Sequence, residues 1–290
     1  MSLFIQRYKF LIIPAALAVV LFGGLFVFYR RTLPKKTVIV PRAEVTLTFI
    51  PGWNLRQVAV YLVEKGFATS TDAVYAITGK PAFFYNYKTG SAPYPHKKLP
   101  IELYRDQSYE GYLAPETYQF YQDATVQDII DKLVAQRDSE FTTSTYDRIY
   151  ELKFLDNNRL VAVNQFLTLA SIVEKETRHD IDRPIVADIL ARRLQRGWAL
   201  QVDSSVHYAV DRSGDIFTTA KERESDSYWN TYKYPGLPPG PISSPSLESI
   251  RAVLYPQAND YWYFLSDTNG SMHYAKTLEE HNRNVYKYLR

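Results

Sequence analysis

Residues 167–177, with the sequence LTLASIVEKET, join an apolar helix directly to two glutamates, and this junction constrains the fold more than any other segment. Successive residues of an α-helix are rotated by about 100° around its axis, which places apolar residues of this segment on one face of the predicted helix. That face consists of Phe166, Leu169, Ala170 and Val173. Glu176 lies within roughly 60° of its centre, whereas Glu174 falls near its edge. A carboxyl group held against apolar neighbours favours its neutral form, so we expect the pKa of Glu176 to be raised, as a general acid near neutral pH requires.

The composition narrows the classes of function. A chain of 290 residues, 46% of them hydrophobic, supports one or two globular domains beyond any membrane segment. The formal net charge is only +3 and the basic residues are scattered, so no nucleic-acid partner is expected. The sequence has no cysteine, which excludes disulfides and thiolate metal sites. The 24 tyrosines and 4 tryptophans suit a groove that contacts carbohydrate, and they equally suit a β-rich core.

Residues 10–29 form an apolar run that only Pro14, Gly23 and Gly24 interrupt. At about 1.5 Å per residue, a helix of this length crosses a hydrocarbon core of about 30 Å, so we predict one transmembrane helix. Bulky residues stand where a signal-peptide cleavage site needs small ones, which favours an uncleaved anchor. Residues 30–44 are predicted to form a linker. Basic residues flank both ends of the helix, and their count alone places the large domain in the cytoplasm.

A small β-α-α unit is predicted after the linker. Residues 45–49 alternate between apolar and polar side chains, as in a half-buried strand. Asn54 stands where it would cap a helix with apolar positions at 3-4 spacing, and Gly66 stands at its expected end. A second helix is expected around residues 72–77, and residues 80–100 form an irregular connection without a clear period.

Helices and one aromatic strand follow, which makes the predicted fold class α+β. Residues 109–121 indicate a turn and a strand packed by tyrosines. Thr125 stands at the cap of the next helix, with Asp128 in the capping-box position. After the helix that ends in Glu176, a further helix begins around Pro184.

The last third of the chain is predicted to be rich in loops, at residues 200–208 and 228–246. Long ordered loops in compact domains are often functional. Four residues in these loops carry neutral groups of the kind that bind sugar hydroxyl and acetamido groups: Gln201, Asn230, Thr231 and Tyr232. A helix over residues 247–254, a hairpin with Asn269 and Gly270 in its turn, and a terminal helix complete the prediction.

Six motifs in this chain together resemble one known family. They are EGYLAPETYQF (110–120), ASIVEKET (170–177), ILARRLQRGWALQVDSSVHY (189–208), WNTY (229–232), GLPPGPISSPS (236–246) and YWYFLSDTNGSMHYAKTLEEHN (261–282). In this order they resemble the endolytic murein transglycosylases, the MltG or YceG-like family.

The resemblance implies an architecture and a location. Members of this family are anchored by one N-terminal transmembrane helix, carry a LysM-like module and cut nascent peptidoglycan glycan strands outside the cytoplasmic membrane. For this chain it implies a cytoplasmic N-terminus (1–9), a partial LysM-like module (45–90) and a catalytic domain (91–290). That domain would be mixed α/β, with a lysozyme-like helical acid site and a loop-rich cleft. Because the substrate lies outside, the family overrides the charge count and predicts an extracytoplasmic catalytic domain.

The resemblance also implies partners and residue roles. Glycan strands, the cytoplasmic membrane and peptidoglycan synthases are the expected partners, and neither a cofactor nor a metal is expected. Glu176 would protonate the glycosidic oxygen between MurNAc and GlcNAc, then accept the proton of the MurNAc 6-hydroxyl, which leaves a 1,6-anhydro end. The substrate-binding residues would be Gln201, Asp203, Asn230, Thr231, Tyr232 and Glu174. Glu110 and Glu116 would be structural or would line the cleft.

Two segments depart from the family pattern. SSVHY at 204–208 stands where PTVQY is expected, and SSPS at 243–246 replaces an expected NPG. The first half of the usual LysM-like module is also absent. These departures concern the loops and the glycan-binding module, and they leave the acid in place.

Other interpretations stay open. The Glu-Lys-Glu end of the helix would simply be solvated in an ordinary amphipathic helix. A lysozyme-like hydrolase would use Glu176 as acid and Asp180, Asp182 or Asp203 as base. The Glu176-x-x-His179 spacing matches one half of a di-metal site, without a second copy of the motif. A membrane-tethered cell-wall scaffold would need no chemistry at all.

Overall fold

The structure is a computed structural model that describes residues 22–26, 28–29, 42–81, 108–157, 159–211 and 218–289. The chain divides into two compact units, Met1–Ala43 and Glu44–Arg290. In the first unit, residues 22–26 and 28–29 are helical, and the rest of the predicted membrane segment 10–29 lies outside the described residues. Residues 1–9 and most of the predicted linker 30–44 also lie outside them. Over the described ranges, no helix is both long enough and apolar enough to span a membrane.

The second unit begins with a two-stranded sheet and three helices. Strand β1 (Glu44–Thr48) pairs antiparallel with β2 (Thr117–Tyr121). Helices α1 (Leu55–Glu64) and α2 (Thr71–Thr78) follow β1, and α3 (Val126–Glu140) follows β2. Apolar side chains from all five elements form one hydrophobic core. The predicted β-α-α order is confirmed, and its strand shares a sheet with a strand from the region predicted to be catalytic.

Local capping explains where α1 and α3 begin. The Asn54 side chain accepts a hydrogen bond from the backbone N–H of Gln57 at 3.1 Å, and the Gln57 side chain accepts one from the backbone N–H of Asn54 at 3.0 Å. Thr125 and Asp128 form the same reciprocal pair before α3. Each pair satisfies backbone N–H groups that a helix start leaves without a partner inside the helix. Both predicted caps are confirmed.

A second core surrounds helix α5 (Arg159–Glu176). Helices α4 (Thr143–Tyr150), α6 (Arg183–Gln195) and α9 (Leu247–Leu254) pack against it. Every residue from 166 to 174 is buried, so this stretch of α5 presents no face to solvent. The predicted place of Glu174 at the edge of a single apolar face is therefore wrong, because protein surrounds the helix on all sides.

Shorter elements complete the unit. They are α7 (Asp203–Ala209), α8 (Ala220–Arg223), β3 (Tyr263–Ser266), β4 (Met272–Ala275) and α10 (Leu278–Leu289). Strands β3 and β4 form the predicted hairpin, with Gly270 at a φ of 87° in its turn. The prediction of a loop over residues 200–208 is wrong from residue 203 onward, because α7 buries Ser205, Val206 and Tyr208. The described residues form an α+β fold with two small antiparallel sheets.

The two cores are joined through a tight turn and a proline-rich loop. The backbone N–H of Gly52 donates to the carbonyl of Ser244 at 2.9 Å, and the N–H of Ser244 donates to the carbonyl of Trp53 at 2.7 Å. Gly111 has a φ of 81°, and a Cβ added there would stand 2.4 Å from Cβ of Pro241. Only glycine fits so close an approach in this backbone conformation. These contacts fix the first core against the second.

Candidate active site

Glu176 is the last residue of α5, and α7 packs against it. Its side chain is partly buried. The Ser204 hydroxyl donates to Oε1 of Glu176 at 2.5 Å, and the Ser204 backbone N–H points at the same oxygen at 3.4 Å. Ser204 is the second residue of α7, so the position of this short helix sets the surroundings of the carboxyl group.

The surroundings of Glu176 raise its pKa to about 7. Burial is the largest cause, because a charged carboxylate loses its hydration there. The hydrogen bonds from Ser204 and the charge of Lys175 act in the opposite direction, and the nearby Asp203 carboxylate adds to the rise. The predicted rise of this pKa is confirmed. Near neutral pH a substantial fraction of the Glu176 side chains carries a proton, as a general acid must.

Asp203 lies beside Glu176 and is held by three donors. The Tyr232 hydroxyl and the Thr218 hydroxyl each donate to its Oδ1 at 2.6 Å. The Thr218 backbone N–H reaches Oδ2 at 3.4 Å. Burial and the Asp203 carboxylate raise the pKa of Tyr232, so its hydroxyl stays protonated and acts as a donor. Asp203 and Tyr232 therefore form a fixed polar pair next to the candidate acid.

Asn230 and Thr231 are buried and hold the neighbouring loops together. The Asn230 amide donates to the carbonyls of Arg223 and Ser225, both at 2.8 Å, and its oxygen accepts the Tyr232 backbone N–H at 3.1 Å. The Thr231 hydroxyl accepts the backbone N–H of Val202 at 3.0 Å and contacts the Ser205 hydroxyl at 2.9 Å. Both side chains therefore bond to the protein, and they position Tyr232 and the start of α7.

Gln201 differs from these residues because its side chain is exposed. Its φ is 53°, in the left-handed region that residues other than glycine rarely adopt. Its backbone N–H donates to the carbonyl of Thr231 at 3.2 Å. Such backbone strain is typical of residues at functional sites. Gln201 thus stands on the surface, two residues before Asp203, with its amide free of the core.

Glu174 lies inside the protein. Its Oε1 accepts Arg183 Nη2 at 3.2 Å. Its Oε2 accepts three donors, the Ser246 N–H at 2.9 Å, the Ser246 hydroxyl at 2.5 Å and the Ser249 hydroxyl at 2.8 Å. The carboxylate thereby accepts hydrogen bonds from the start of α9 and compensates the positive charge of the buried Arg183 guanidinium. This geometry does not support the predicted contact between Glu174 and substrate, because both oxygens already serve the fold.

Glu110 is a second buried carboxyl group. Its Oε1 accepts the backbone N–H of Leu55 at 2.9 Å, and its Oε2 accepts the hydroxyl of Tyr208 at 2.8 Å. It links the start of α1 to the end of α7, and burial raises its pKa to about 7. Glu116 is exposed just before β2. Of the two glutamates predicted to be structural or cleft-lining, Glu110 is in a structural position.

Replacing Glu110 with glutamine is expected to change how stability depends on pH. The folded form holds this proton up to about pH 7, whereas an unfolded glutamate releases it near pH 4.5. The neutral form's contribution to stability is therefore lost as the pH rises from about 4.5 to 7, which amounts to about 3 kcal/mol. The free energy of unfolding in urea is measured for the wild type and for Glu110→Gln at pH 4.5 and at pH 8. Relative to the wild type, the variant should be more stable at pH 8 than at pH 4.5 by about 3 kcal/mol. Parallel pH curves would contradict this.

Residues that the sequence analysis missed also support the site. Arg193 donates from Nη1 to the carbonyl of Leu200 at 2.6 Å and from Nη2 to the carbonyl of Trp262 at 2.6 Å, which holds the segment before α7. Ser204 contacts Glu176 directly, and Thr218 contacts Asp203 directly. For Ser204 the departure from the expected proline was a usable signal, whereas nothing in the sequence marked Thr218.

Asp180, Asp182 and His179, the residues of the alternative interpretations, are exposed or bonded to residues other than Glu176. Asp180 is exposed and pairs with Arg183 at 3.0 Å, and Asp182 accepts the hydroxyl of Tyr274 at 2.6 Å. His179 is exposed. Within the part of the chain that the structure describes, no group of three or more potential ligands (His, Cys, Asp or Glu) could hold a metal ion.

Comparisons with known proteins agree on one family. The pattern of the YceG-like family matches residues 30–287. A protein of Bacillus subtilis (strain 168) named endolytic murein transglycosylase is 39% identical over 181 residues, which cover 62% of this chain and 48% of that protein. A protein of the same name from Streptococcus pneumoniae (strain R6) is 32% identical over 256 residues, covering 84% of this chain and 44% of that protein.

A solved structure shows a fold similar to that of this chain. The 2.6 Å crystal structure of a putative YceG-like protein from Listeria monocytogenes matches with a TM-score of 0.64 and 32% identity, over 84% of this chain and 76% of that chain. The matched region spans less than half the length of each of these two relatives from Bacillus subtilis and Streptococcus pneumoniae. The family pattern covers most of the sequence, including every element of the candidate site. This chain therefore belongs to the YceG-like family.

Proposed function

We propose that this chain is a lytic transglycosylase that cuts peptidoglycan glycan strands internally. The proposal depends on the state of the Glu176 carboxyl group. This group is partly buried, one of its oxygens accepts a hydrogen bond from Ser204, and its pKa is raised to about 7. Relatives that share this region are named endolytic murein transglycosylase. A carboxyl group in this state can both give and take a proton near neutral pH.

In the proposed reaction Glu176 acts first as acid and then as base. Neutral Glu176 gives its proton to the glycosidic oxygen between MurNAc and GlcNAc as the bond from that oxygen to the anomeric carbon breaks. The resulting carboxylate accepts the proton of the MurNAc 6-hydroxyl, whose oxygen bonds to the same anomeric carbon. The products are a 1,6-anhydroMurNAc end and a new GlcNAc end, and Glu176 regains its proton. One carboxyl group suffices, in contrast to the two that ordinary glycosidases use.

The neighbouring residues take supporting roles in this proposal. Asp203 and Tyr232 form the polar pair beside the acid and would bind sugar hydroxyl groups. Gln201 would bind substrate with its exposed amide. Asn230 and Thr231 would act indirectly, by holding the loop that carries Tyr232.

The wider setting is proposed on the same basis. Residues 10–29 would anchor the chain in the cytoplasmic membrane, residues 30–44 would form the linker, and the catalytic domain (91–290) would lie outside the cytoplasm. Residues 45–90 would form the partial LysM-like module. Peptidoglycan synthases, which supply nascent strands, are the proposed protein partners. A reporter fused after Arg290 tests this topology, since activity of a cytoplasmic reporter there would contradict it.

Analysis of the product ends tests the reaction. The purified full-length chain is incubated with uncrosslinked peptidoglycan, and the ends are identified by mass spectrometry. We expect anhydro ends, with fragments from the interior of the strands. Reducing ends would show a lysozyme-like hydrolase, for which Asp203, whose charge acts on Glu176, is the candidate base. Intact strands would favour a non-catalytic scaffold.

A further inference from the structure

We infer that Ser204 determines which oxygen of Glu176 carries the acid proton, and that it is a positioning residue for the cleavage reaction. The inference rests on the function proposed above. It concerns a residue that the sequence analysis did not select, at one of the positions where the chain departs from the family pattern.

The direction of the Ser204 contacts carries the inference. A backbone N–H can only donate, and the N–H of Ser204 points at Oε1 of Glu176 at 3.4 Å. The Ser204 hydroxyl reaches the same oxygen at 2.5 Å. A neutral carboxyl group has one carbonyl oxygen and one hydroxyl oxygen, and the carbonyl oxygen is the better acceptor. With Oε1 as the acceptor, the proton resides on Oε2.

The second oxygen of Glu176, Oε2, is not the acceptor of either Ser204 contact. In the described ranges of the chain, the hydrogen bonds to Glu176 all end on Oε1, from the hydroxyl and N–H of Ser204. Oε2 is therefore left for a glycosidic oxygen. Without Ser204 the proton would be shared between two similar oxygens, and the carboxyl group would turn more freely.

Four charged or titratable groups face Glu176, one from each element packed around it. Asp203 comes from α7, Lys175 from α5 itself, Arg193 from α6 and Tyr232 from the loop after α8. Asp203 and Lys175 act on the pKa of Glu176 through their charges, whereas Tyr232 stays protonated and neutral. Asp203 and Tyr232 bond to each other, and Arg193 bonds to backbone carbonyls. Over the described residues, the orienting hydrogen bonds thus come from Ser204.

Proline, expected at position 204 from the family pattern, has neither a backbone N–H nor a hydroxyl group. Ser204 therefore supplies two donors that this alternative residue could not. The contact is a property of this chain, built by the end of α5 and the start of α7.

The test compares Ser204→Ala with Ser204→Thr in the full-length chain. Alanine removes the hydroxyl donor and keeps the N–H, whereas threonine keeps both. The pKa of Glu176 is measured by carbon-13 NMR of glutamate carboxyl groups, with Glu176→Gln used to assign the signal. Thermal unfolding of each variant checks the fold.

We expect Ser204→Ala to raise the pKa of Glu176 by about one unit, because a hydrogen bond that stabilises the ionised form is gone. We also expect kcat for anhydro-end formation to fall about tenfold at a pH where Glu176 is protonated, with little change in KM. Ser204→Thr should restore both values. This rescue separates the role of the hydroxyl from a general disturbance of α7.

Two results would overturn the inference. One is a Glu176 titration in Ser204→Ala that matches the wild type. The other is an equal loss of kcat in Ser204→Ala and Ser204→Thr, which would mean that the residue only packs. The titration does not need substrate, so it decides the Ser204 contact even if the wild-type chain forms no anhydro ends and the proposed function itself fails.

Discussion

Replacing Glu176 with glutamine is expected to lower kcat for glycan cleavage by about 10³-fold. The amide cannot give up a proton near neutral pH and cannot take one from the MurNAc 6-hydroxyl. Its oxygen can still accept from the Ser204 hydroxyl, so the site should keep its shape. Anhydro ends formed per unit time, counted by mass spectrometry, provide the measurement.

The matched control is Glu151→Gln. Glu151 is exposed at the end of α4, where it pairs with Arg148, and belongs to no part of the proposed machinery, so this variant should cleave at the wild-type rate. The control variant should unfold at the wild-type temperature, and Glu176→Gln should be at least as stable as the wild type near neutral pH, because a neutral amide avoids the cost of ionising the buried carboxyl group. If Glu176→Gln keeps a tenth or more of the activity, another group must act as the acid.

The pH profile of the wild-type protein provides a second view of the same residue. The reaction starts from neutral Glu176, and this form is lost as the pH rises through about 7. We therefore expect kcat/KM to fall above pH 7, with a midpoint at the pKa of the free enzyme's acid. A profile that keeps rising to pH 9 would exclude Glu176 as the acid in its neutral form.

Replacing Glu174 with alanine is expected to destabilise the fold by about 3–5 kcal/mol. The change leaves the buried Arg183 guanidinium without this carboxylate, and it removes the acceptor for the Ser246 N–H and the Ser246 and Ser249 hydroxyls. Buried donors without an acceptor are costly. The free energy of unfolding in urea measures the effect.

Glu248→Ala is the control for this prediction, because Glu248 is an exposed glutamate on α9, next to the same buried cluster. Its unfolding should stay within about 0.5 kcal/mol of the wild type. The pair also tests the role that the sequence suggested for Glu174. If Glu174→Ala kept full stability and lost cleavage, Glu174 would be a substrate-binding residue after all.

A comparison of Glu176→Gln with Glu174→Ala should separate the effect on activity from the effect on stability. They lie two residues apart in α5, yet Glu176 meets the start of α7 and Glu174 meets the start of α9. The helix turns about 200° between them, so they face different neighbours. A loss of activity at one and a loss of stability at the other is the expected pattern.

Features encoded within a few residues were determined by the sequence alone. The capping boxes at Asn54 and Thr125 need only a side chain that accepts a hydrogen bond three residues later in the chain. The hairpin turn depends on Gly270, which adopts a φ of 87° that glycine tolerates without steric cost. The raised pKa of Glu176 followed from its place beside an apolar helix face, although the same reasoning misplaced Glu174 because it could not show that residues 166–174 of α5 are all buried.

Only the tertiary structure decided the contacts that give the site its chemistry. Ser204 reaches Glu176 from 28 residues away, and Ser246 reaches Glu174 from 72 residues away. Helix α7 was predicted as a loop, since seven residues are too few to show a helical period and its stability comes from burial of Val206 and Tyr208. Helix caps and turns are satisfied by neighbours along the chain, whereas the partners of a buried carboxyl group depend on which distant segments the packed cores bring to it.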